Sequence, residues 1–203
     1  MASNNNAPHG FAPIGTMHGG AQRIEEFAKV ATNAAIIYKQ DIVTRLTGST
    51  TNSEGRIVGL IDAAVSFTPG TTLITGVVLN TSLASTATDH QVFTDPEMIY
   101  EAQSTNGTSN GAGGAGINAA DPGKNINANV ATAGTVYGTA AGRQGLSGMM
   151  IDPTTIATTS TLDFHMLGLY QEFEATGGNA FGAYARIIVL ANKHRMANAV
   201  AGV

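Results

Sequence analysis

Short apolar segments rich in β-branched residues, each bounded by turn residues, most constrain how this chain can fold. Thr71–Leu79 is β-branched or apolar at nearly every position and follows the turn at residues 68–70. Residues 159–169 alternate apolar and polar side chains, and Gly168 interrupts them where a β-bulge is expected. Ala183–Leu190 is apolar on both faces apart from one arginine. Such patterns predict half-buried strands and one central strand that is covered on both sides.

The whole chain contains roughly eight to ten segments of this kind, which predicts an all-β fold. The fold class is a β-sandwich, including the jelly-roll type, or a barrel, because strand order is not visible in the sequence. Only residues 23–30 suggest a helix, since Ile24, Phe27 and Ala28 fall on one helical face, and we leave this segment undecided. The β domain is predicted over residues 23–195 and a C-terminal tail over residues 196–203.

Residues 1–22 precede these segments and are predicted to form an extended N-terminal arm. They carry little charge, are rich in Asn, Gly and Ala, and hold only isolated large apolar residues. Such a segment is either a disordered tail or an arm that becomes ordered on a neighbouring subunit. The apolar residues Phe11, Ile14 and Met17 favour the arm.

The longest stretch without a strand pattern is a Gly/Asn-rich loop at residues 104–124. Residues 111–116 spell G-x-G-x-x-G, the spacing of a dinucleotide-binding turn. That motif works only between a strand and a helix whose N-terminus receives the pyrophosphate. Here Asp121-Pro122-Gly123 follows where the helix should continue. We therefore interpret the glycines as a loop and expect no nucleotide cofactor.

The charge of the chain excludes several kinds of partner. Only 12% of the residues are charged, against about 25% in an average domain, and the net charge is −4. Nucleic-acid binding requires clustered Lys and Arg, so we expect no nucleic-acid partner. Cys is absent, which excludes disulfides and thiolate metal sites. No apolar run reaches the roughly 18 residues of a membrane span, and no signal peptide is recognisable at the N-terminus.

Four small constellations could suggest catalysis or metal binding, and none is complete. Ser147 lies in a Gly-rich turn that lacks the final glycine of a nucleophile elbow. Asp163 and His165 share a strand face, but a metal site needs three or four ligands. The acidic pair Glu172 and Glu174 and the basic cluster at residues 193–195 are more simply solvated. We therefore expect neither an enzyme nor a metal or cofactor site.

Several segments, in order along the chain, resemble those of one virion protein family. The matching segments are Ala7–Pro13, Gly19–Ala21, Tyr38–Val43, Ile57–Leu60, Tyr100–Gln103, Gly145–Gly148, Ile151-Asp152, Thr158–Leu162, Leu167–Leu169, Asn179-Ala180 and Ala185–His194. In this order and spacing the chain resembles the capsid cement (head decoration) proteins of tailed bacteriophages. It departs from their pattern at Lys39-Gln40, where the family has a glycine, and at Ile42, where it has a proline.

The resemblance implies a structural virion protein that binds the outer surface of the icosahedral phage head and clamps neighbouring major capsid proteins. It also implies synthesis in the host cytoplasm and assembly as a homodimer or homotrimer. The residues expected to contact the capsid lie in the arm and in the Gly/Asn-rich loop: Phe11, Pro13, Ile14, Met17, Asn106 and Asn110.

An alternative from a different class is a receptor- or glycan-binding β module of the tail or fibre type. Such modules usually present exposed aromatic residues near polar loops. This chain has no Trp and only 5 Tyr, which favours the capsid interpretation.

Overall fold

The computed structural model describes residues 4–29, 31–32, 36–62, 67–82, 86–111, 113–130, 146–171 and 178–196. Over these ranges the chain forms eleven β-strands and no helix, which confirms the all-β prediction. Consistent with this, no helix in the described part of the chain could cross a membrane.

The eleven strands are divided between two sheets. Their bounds are β1 Ala12–Thr16, β2 Ile24–Lys29, β3 Ile42–Thr51, β4 Ile57–Asp62, β5 Gly76–Val78, β6 Thr88–Phe93, β7 Met98–Gln103, β8 Asn125–Asn129, β9 Met150–Ala157, β10 Phe164–Leu169 and β11 Arg186–Ala191. The sequence analysis did not anticipate β1, within the expected arm, or β6, whose first half is polar. The expected bulge at Gly168 is confirmed by a register shift between β10 and β11 after Met166.

One sheet closes into a five-stranded barrel in the order β2-β4-β3-β5-β6. The pairing of β2 with β4 is parallel, and the other pairings are antiparallel. The segment left undecided between helix and strand is therefore β2. All six of its residues pair with β6, so cross-strand pairing overrides a short helical pattern that had no cap.

The other sheet has six antiparallel strands in the order β1-β7-β11-β10-β8-β9. Immediately after β7, Ser104 forms a parallel bridge with Ile151 in β9. The sheet therefore curls, so that β9, its last strand, meets the residue that follows β7. β1 remains as an added edge strand beside β7.

Two hydrophobic cores follow from the alternation of side chains along the barrel strands. Ile42, Val77 and Phe93 belong to the main core, which they share with the six-stranded sheet. Their chain neighbours Val43, Val78 and Val92 belong to a second, smaller core. Because successive side chains of a strand point to opposite faces, a strand between two cores must be apolar at consecutive positions. This explains the continuous apolar runs of the barrel strands.

Candidate functional site

Phe11, the first residue expected to contact the capsid, is part of the chain's own core. Its side chain is fully buried and stacks on Phe164, with the ring centroids 4.7 Å apart. Its N–H donates to the carbonyl oxygen of Gln40 at 3.0 Å. The interpretation of Phe11 as a capsid contact is corrected accordingly, since the ring cannot reach a partner while this fold is kept.

Polar contacts attach the residues before Phe11 to the same domain. The Asn4 amide donates to the carbonyl of Ala180 at 2.7 Å and accepts the N–H of Ala180 at 3.1 Å. The side chain of Gln103 accepts the N–H of Ala7 at 2.9 Å and donates to the carbonyl of Asn5 at 2.7 Å. From residue 4 to β1, the expected arm is therefore folded onto its own β domain.

A buried carboxylate lies beside this attachment. Nε2 of His9 is 3.2 Å from Oε1 of Glu101, and the Arg186 guanidinium donates to the same oxygen. The Arg186 guanidinium also lies 4.8 Å from the centre of the Tyr170 ring. Burial alone would raise the pKa of Glu101, but hydrogen bonds and charge from His9 and Arg186 outweigh it and lower the pKa to about 2. Glu101 is thus ionised in neutral solution and links β7, β11 and the N-terminal segment.

The outer part of the N-terminal segment remains at the surface as an edge strand. Pro13 pairs with Tyr100 and is half-buried, whereas Ile14 is 39% and Met17 is 49% exposed. In the described residues no strand pairs with the outer side of β1. We refer to Pro13, Ile14 and Met17 as the β1 edge. The β1 edge combines backbone groups that no strand of the described residues pairs with and two large, exposed apolar side chains.

The Gly/Asn-rich loop is organised around Asp121, whose side chain is fully buried. Its carboxylate accepts the Ser109 hydroxyl at 2.8 Å and the Asn118 N–H at 2.8 Å, and the Lys124 ammonium at 3.1 Å. Burial would raise the pKa of Asp121, but these hydrogen bonds and the lysine charge outweigh it and lower the pKa. One ionised side chain therefore fixes three points of the loop.

Gly116 explains part of the glycine pattern in this loop. Its φ of +72° is unfavourable for other residues, and a Cβ there would lie 1.9 Å from the carbonyl oxygen of Gly182. The next residue, Ile117, is fully buried and donates its N–H to that same carbonyl at 3.1 Å. The last glycine of the G-x-G-x-x-G pattern thus serves a close approach of two backbones, and no helix follows it in the described ranges.

The two asparagines expected to contact the capsid are exposed and lie in the Gly/Asn-rich loop, which contacts β9. The N–H of Asn110 donates to the carbonyl of Pro153 in β9 at 3.0 Å, and Asn106 is exposed on the same loop. The structure therefore places the two groups of expected contacts on different segments, the β1 edge and the loop beside β9.

Ser147, the candidate nucleophile, is fully buried. Its hydroxyl oxygen accepts the N–H of Met149 at 3.0 Å and lies beside the Asp41 carboxyl. Burial raises the pKa of Asp41 to about 6, although hydrogen bonds from Ser147 and from the N–H of Tyr38 act in the opposite direction. Gly145, the first residue of the Gly-rich turn, lies outside the described residues.

Asp163 and His165 do not converge on a common point. The Asp163 carboxylate accepts N–H groups from Gly70 at 2.8 Å and Ala128 at 3.0 Å, and burial raises its pKa to about 6 against these bonds. Nδ1 of His165 is 2.8 Å from the side-chain oxygen of Asn125. Among the described residues no three His, Asp or Glu side chains come together as metal ligands. Glu172 and Glu174 lie outside the described residues.

The basic cluster at residues 193–195 was expected to be solvated, and the structure corrects this for His194. The ring is 1% exposed; Nδ1 accepts the N–H of Met196 at 3.1 Å, and Nε2 donates to the Thr75 carbonyl at 3.0 Å. Burial lowers the pKa of His194, so the ring is neutral. Lys193 donates to the carbonyl of Gly70 at 2.7 Å. The backbone after β11 is thereby attached to the barrel.

A cavity of about 230 Å³ lies at this junction, and sequence analysis did not anticipate it. Arg23, Arg45 and Arg195 line it together with Thr75 and Thr94. These residues are far apart in the sequence, so no local motif could have indicated the cavity. A shallower groove of about 350 Å³ adjoins it along β2 and β4.

Comparison with known proteins adds no assignment, since no family model, no curated protein and no solved structure matches this chain.

Proposed function

We propose that this chain is a structural virion protein that binds the outer surface of an icosahedral phage head and stabilises the contacts between neighbouring major capsid proteins. The proposal rests on the ordered sequence resemblance together with one structural observation, the β1 edge. A second copy of the chain is also a partner in this proposal, as a homodimer or homotrimer.

The β1 edge supports binding to another protein. An edge strand with unpaired backbone can accept a strand or loop from a partner, and monomeric proteins usually protect such edges with charge, proline or a bulge. β1 contains Pro13 and a register shift between Pro13 and Gly15, so the support comes from its apolar side chains and its lack of charge. Residues 12–17 of this chain contain no charged side chain. Ile14 and Met17 supply the apolar contact that interfaces concentrate at their centre, where charged residues are depleted.

The contacts of Phe11 support the mechanical part of the proposal. β1 is held to its own domain by the buried ring of Phe11 and by pairing with β7. A partner bound to β1 is therefore attached to a folded body and not to a loose tail. A cap that binds two coat subunits adds an interface that exists only while those subunits stay in register. Many copies then raise the barrier to rupture by multivalency.

The test is co-sedimentation of the purified protein with coat-protein shells that lack it, using both expanded and unexpanded shells. Saturable binding to expanded shells, with a higher rupture temperature, is the expected result. The double substitution Ile14→Asp and Met17→Asp should reduce the affinity at least about tenfold, because it places charge at the apolar centre of the interface.

A matched control is Ile57→Asp, which changes an 80% exposed apolar residue of β4 in the barrel. It should leave the shell affinity unchanged. Equal losses in both variants, or no binding to either shell, would overturn the proposal. In the second case, saturable binding of a glycan would favour the receptor-module alternative. Deletion of residues 1–20 is a poor test, because it would also remove Phe11 from the core.

A further inference from the structure

The cavity of about 230 Å³ beside the barrel concentrates positive charge in an acidic chain. Three of the guanidinium groups, from Arg23, Arg45 and Arg195, line it, although the chain carries a net charge of −4. Glu25 is the acidic residue of the lining, and it is already paired with Arg23. Positive charge therefore exceeds negative charge within the cavity.

Hydrogen bonds fix the backbone at each of the three arginines. The carbonyl of Arg23 accepts the N–H of Thr94 at 3.0 Å, and the N–H of Arg45 donates to the Thr75 hydroxyl at 2.8 Å. The N–H of Arg195 donates to the carbonyl of Ile74 at 2.8 Å. Arg23 precedes β2, Arg45 lies in β3, and Arg195 follows β11. The backbone of three separate segments is thus fixed around the cavity. This is the kind of preorganisation that lowers the entropic cost of binding a ligand.

Hydrogen-bond donors in the cavity lack protein acceptors. Among the described residues, the guanidinium groups of Arg45 and Arg195 have neither an ion-pair nor a hydrogen-bond partner. Thr94 is 1% exposed, and its hydroxyl oxygen is buried with no partner among the described atoms. A buried hydroxyl without a partner is unfavourable unless something binds to it. Two free guanidinium groups and a hydroxyl form a donor set for an oxyanion.

We propose that this cavity, lined by Arg23, Arg45, Arg195 and Thr94, is a binding site for a phosphate or sulfate group. The volume is below the roughly 300–1,000 Å³ of sites that enclose a drug-sized molecule, so the cavity accepts one such group and not a whole ligand. The adjoining groove shares Glu25, Phe27 and Arg45 with the cavity, and Glu26, Val58 and the exposed Ile57 line it further along. A phosphate or sulfate ester can therefore place its anionic end in the cavity and an apolar remainder in the groove.

This site is independent of the proposed capsid role, because it lies at the barrel and not at the β1 edge. The test is titration of the full chain at low ionic strength with inorganic phosphate, inorganic sulfate and phenyl phosphate. Heat of binding is measured together with amide chemical shifts. We expect saturable binding of phosphate, with the largest shifts at residues 23, 45, 94 and 195.

Substitutions distinguish a specific oxyanion site from nonspecific attraction by the charge of the chain. Arg45→Gln and Arg195→Gln should each weaken phosphate binding at least about tenfold, the usual effect of losing a charge-assisted hydrogen bond. Thr94→Val should weaken binding several-fold with no loss of thermal stability, because the hydroxyl has no protein partner to lose. Arg56→Gln is the matched control: it removes the same charge from the groove outside the cavity and should leave inorganic phosphate binding unchanged.

The outcomes also distinguish the source of the oxyanion. Tighter binding of phenyl phosphate than of inorganic phosphate supports an ester whose remainder lies in the groove. Equal binding supports the site for a free ion. Absence of saturable binding by phosphate and sulfate would overturn the proposal. An equal loss of affinity in Arg56→Gln and Arg45→Gln would also overturn it, since the attraction would then come from overall charge alone.

Discussion

The N-terminal segment and the Gly/Asn-rich loop have similar compositions, but they bury different side chains of their own: the first buries the ring of Phe11, and the second buries the carboxylate of Asp121 together with Ile117. Both are rich in small and amide residues and poor in large apolar ones. The N-terminal segment is held by a buried aromatic ring, that of Phe11, stacked on Phe164. The loop is held by the buried carboxylate of Asp121, which accepts two hydrogen bonds and forms an ion pair with Lys124.

Both segments need buried anchors because their own composition offers little apolar surface. Fixing the backbone of each residue costs about 1–2 kcal/mol, which glycine and asparagine side chains can hardly offset by burial. The buried anchor of each segment therefore acts together with backbone pairing and polar contacts, such as the pairing of β1 with β7 and the hydrogen bonds of Asn4. An apolar anchor gives stability that depends little on pH, whereas a carboxylate anchor is effective only while it is ionised.

A second contrast concerns the carboxyl groups near the two segments. Asp41 lies beside the attachment of the N-terminal segment, next to Gln40, whose carbonyl receives the Phe11 N–H. Burial raises the pKa of Asp41 to about 6. At Asp121 the hydrogen bonds and Lys124 outweigh burial, so the pKa is lowered. One carboxyl therefore favours its neutral form in the folded chain and the other its charged form.

The largest expected effect comes from removing the apolar anchor. Phe11→Ala should lower the free energy of unfolding by about 3–5 kcal/mol, because it deletes a fully buried ring and leaves a cavity against Phe164. Urea denaturation of the full chain measures it, and Phe11→Leu should recover most of the loss. A loss below about 1 kcal/mol would mean that residues 4–16 are not packed in solution as described.

The next prediction uses pH to separate the two carboxyl groups. The folded-state pKa of Asp41 is about 6, above its unfolded value of 3.8, so its ionisation opposes folding as pH rises between these values. Relative to the wild type, Asp41→Asn should therefore be more stable at pH 7 than at pH 4. Between pH 4 and pH 7 the difference should be about 2.4 kcal/mol, at about 1.4 kcal/mol per pKa unit, because the carboxyl of the unfolded chain is already more than half ionised at pH 4.

For Asp121 the sign is reversed. Its folded-state pKa lies below 3.8, so its contribution is complete above that pH and is lost as pH falls through the folded value. Asp121→Asn should lower the free energy of unfolding by about 2 kcal/mol near neutral pH and by progressively less in strong acid. Urea denaturation of both variants and the wild type across the pH range measures these differences, in which all other groups cancel. The same sign for both variants would contradict the contrast.

The smallest expected effect tests whether both segments are equally ordered. Gly19 and Gly113 have φ of +67° and +75°, and a Cβ at either position would meet nothing within 4 Å. Gly→Ala at each position should therefore lower the free energy of unfolding by about 1 kcal/mol through backbone strain alone. If one substitution costs nothing by urea denaturation while the other costs the full amount, the segment with no cost does not keep the described backbone in solution.

Sequence patterns predicted the all-β class and most of the strands because these depend on local alternation and β-branched residues. They missed β1 and β6, whose residues gain their strand conformation from pairing with β7 and with β2. A segment such as Ala12–Thr16, with proline and glycine among five residues, has little strand propensity of its own.

The candidate contact residues were predicted less completely. Ile14, Met17, Asn106 and Asn110 are exposed as a contact role requires, but Phe11 is buried. An isolated phenylalanine in a low-complexity segment can be an anchor for the chain itself or for a partner, and the sequence is the same in both cases. The choice depends on whether the domain leaves a space beside Phe164.

The sequence by itself determined the class of structure and the low charge of the chain, because these follow from the local chemistry of each segment. Only the tertiary structure decided which residues meet: that Phe11 enters the core, that Asp121 organises its loop, and that Arg23, Arg45 and Arg195 share one cavity. The physical reason is that these contacts join residues distant in the chain, and the packing of the two sheets fixes their distances.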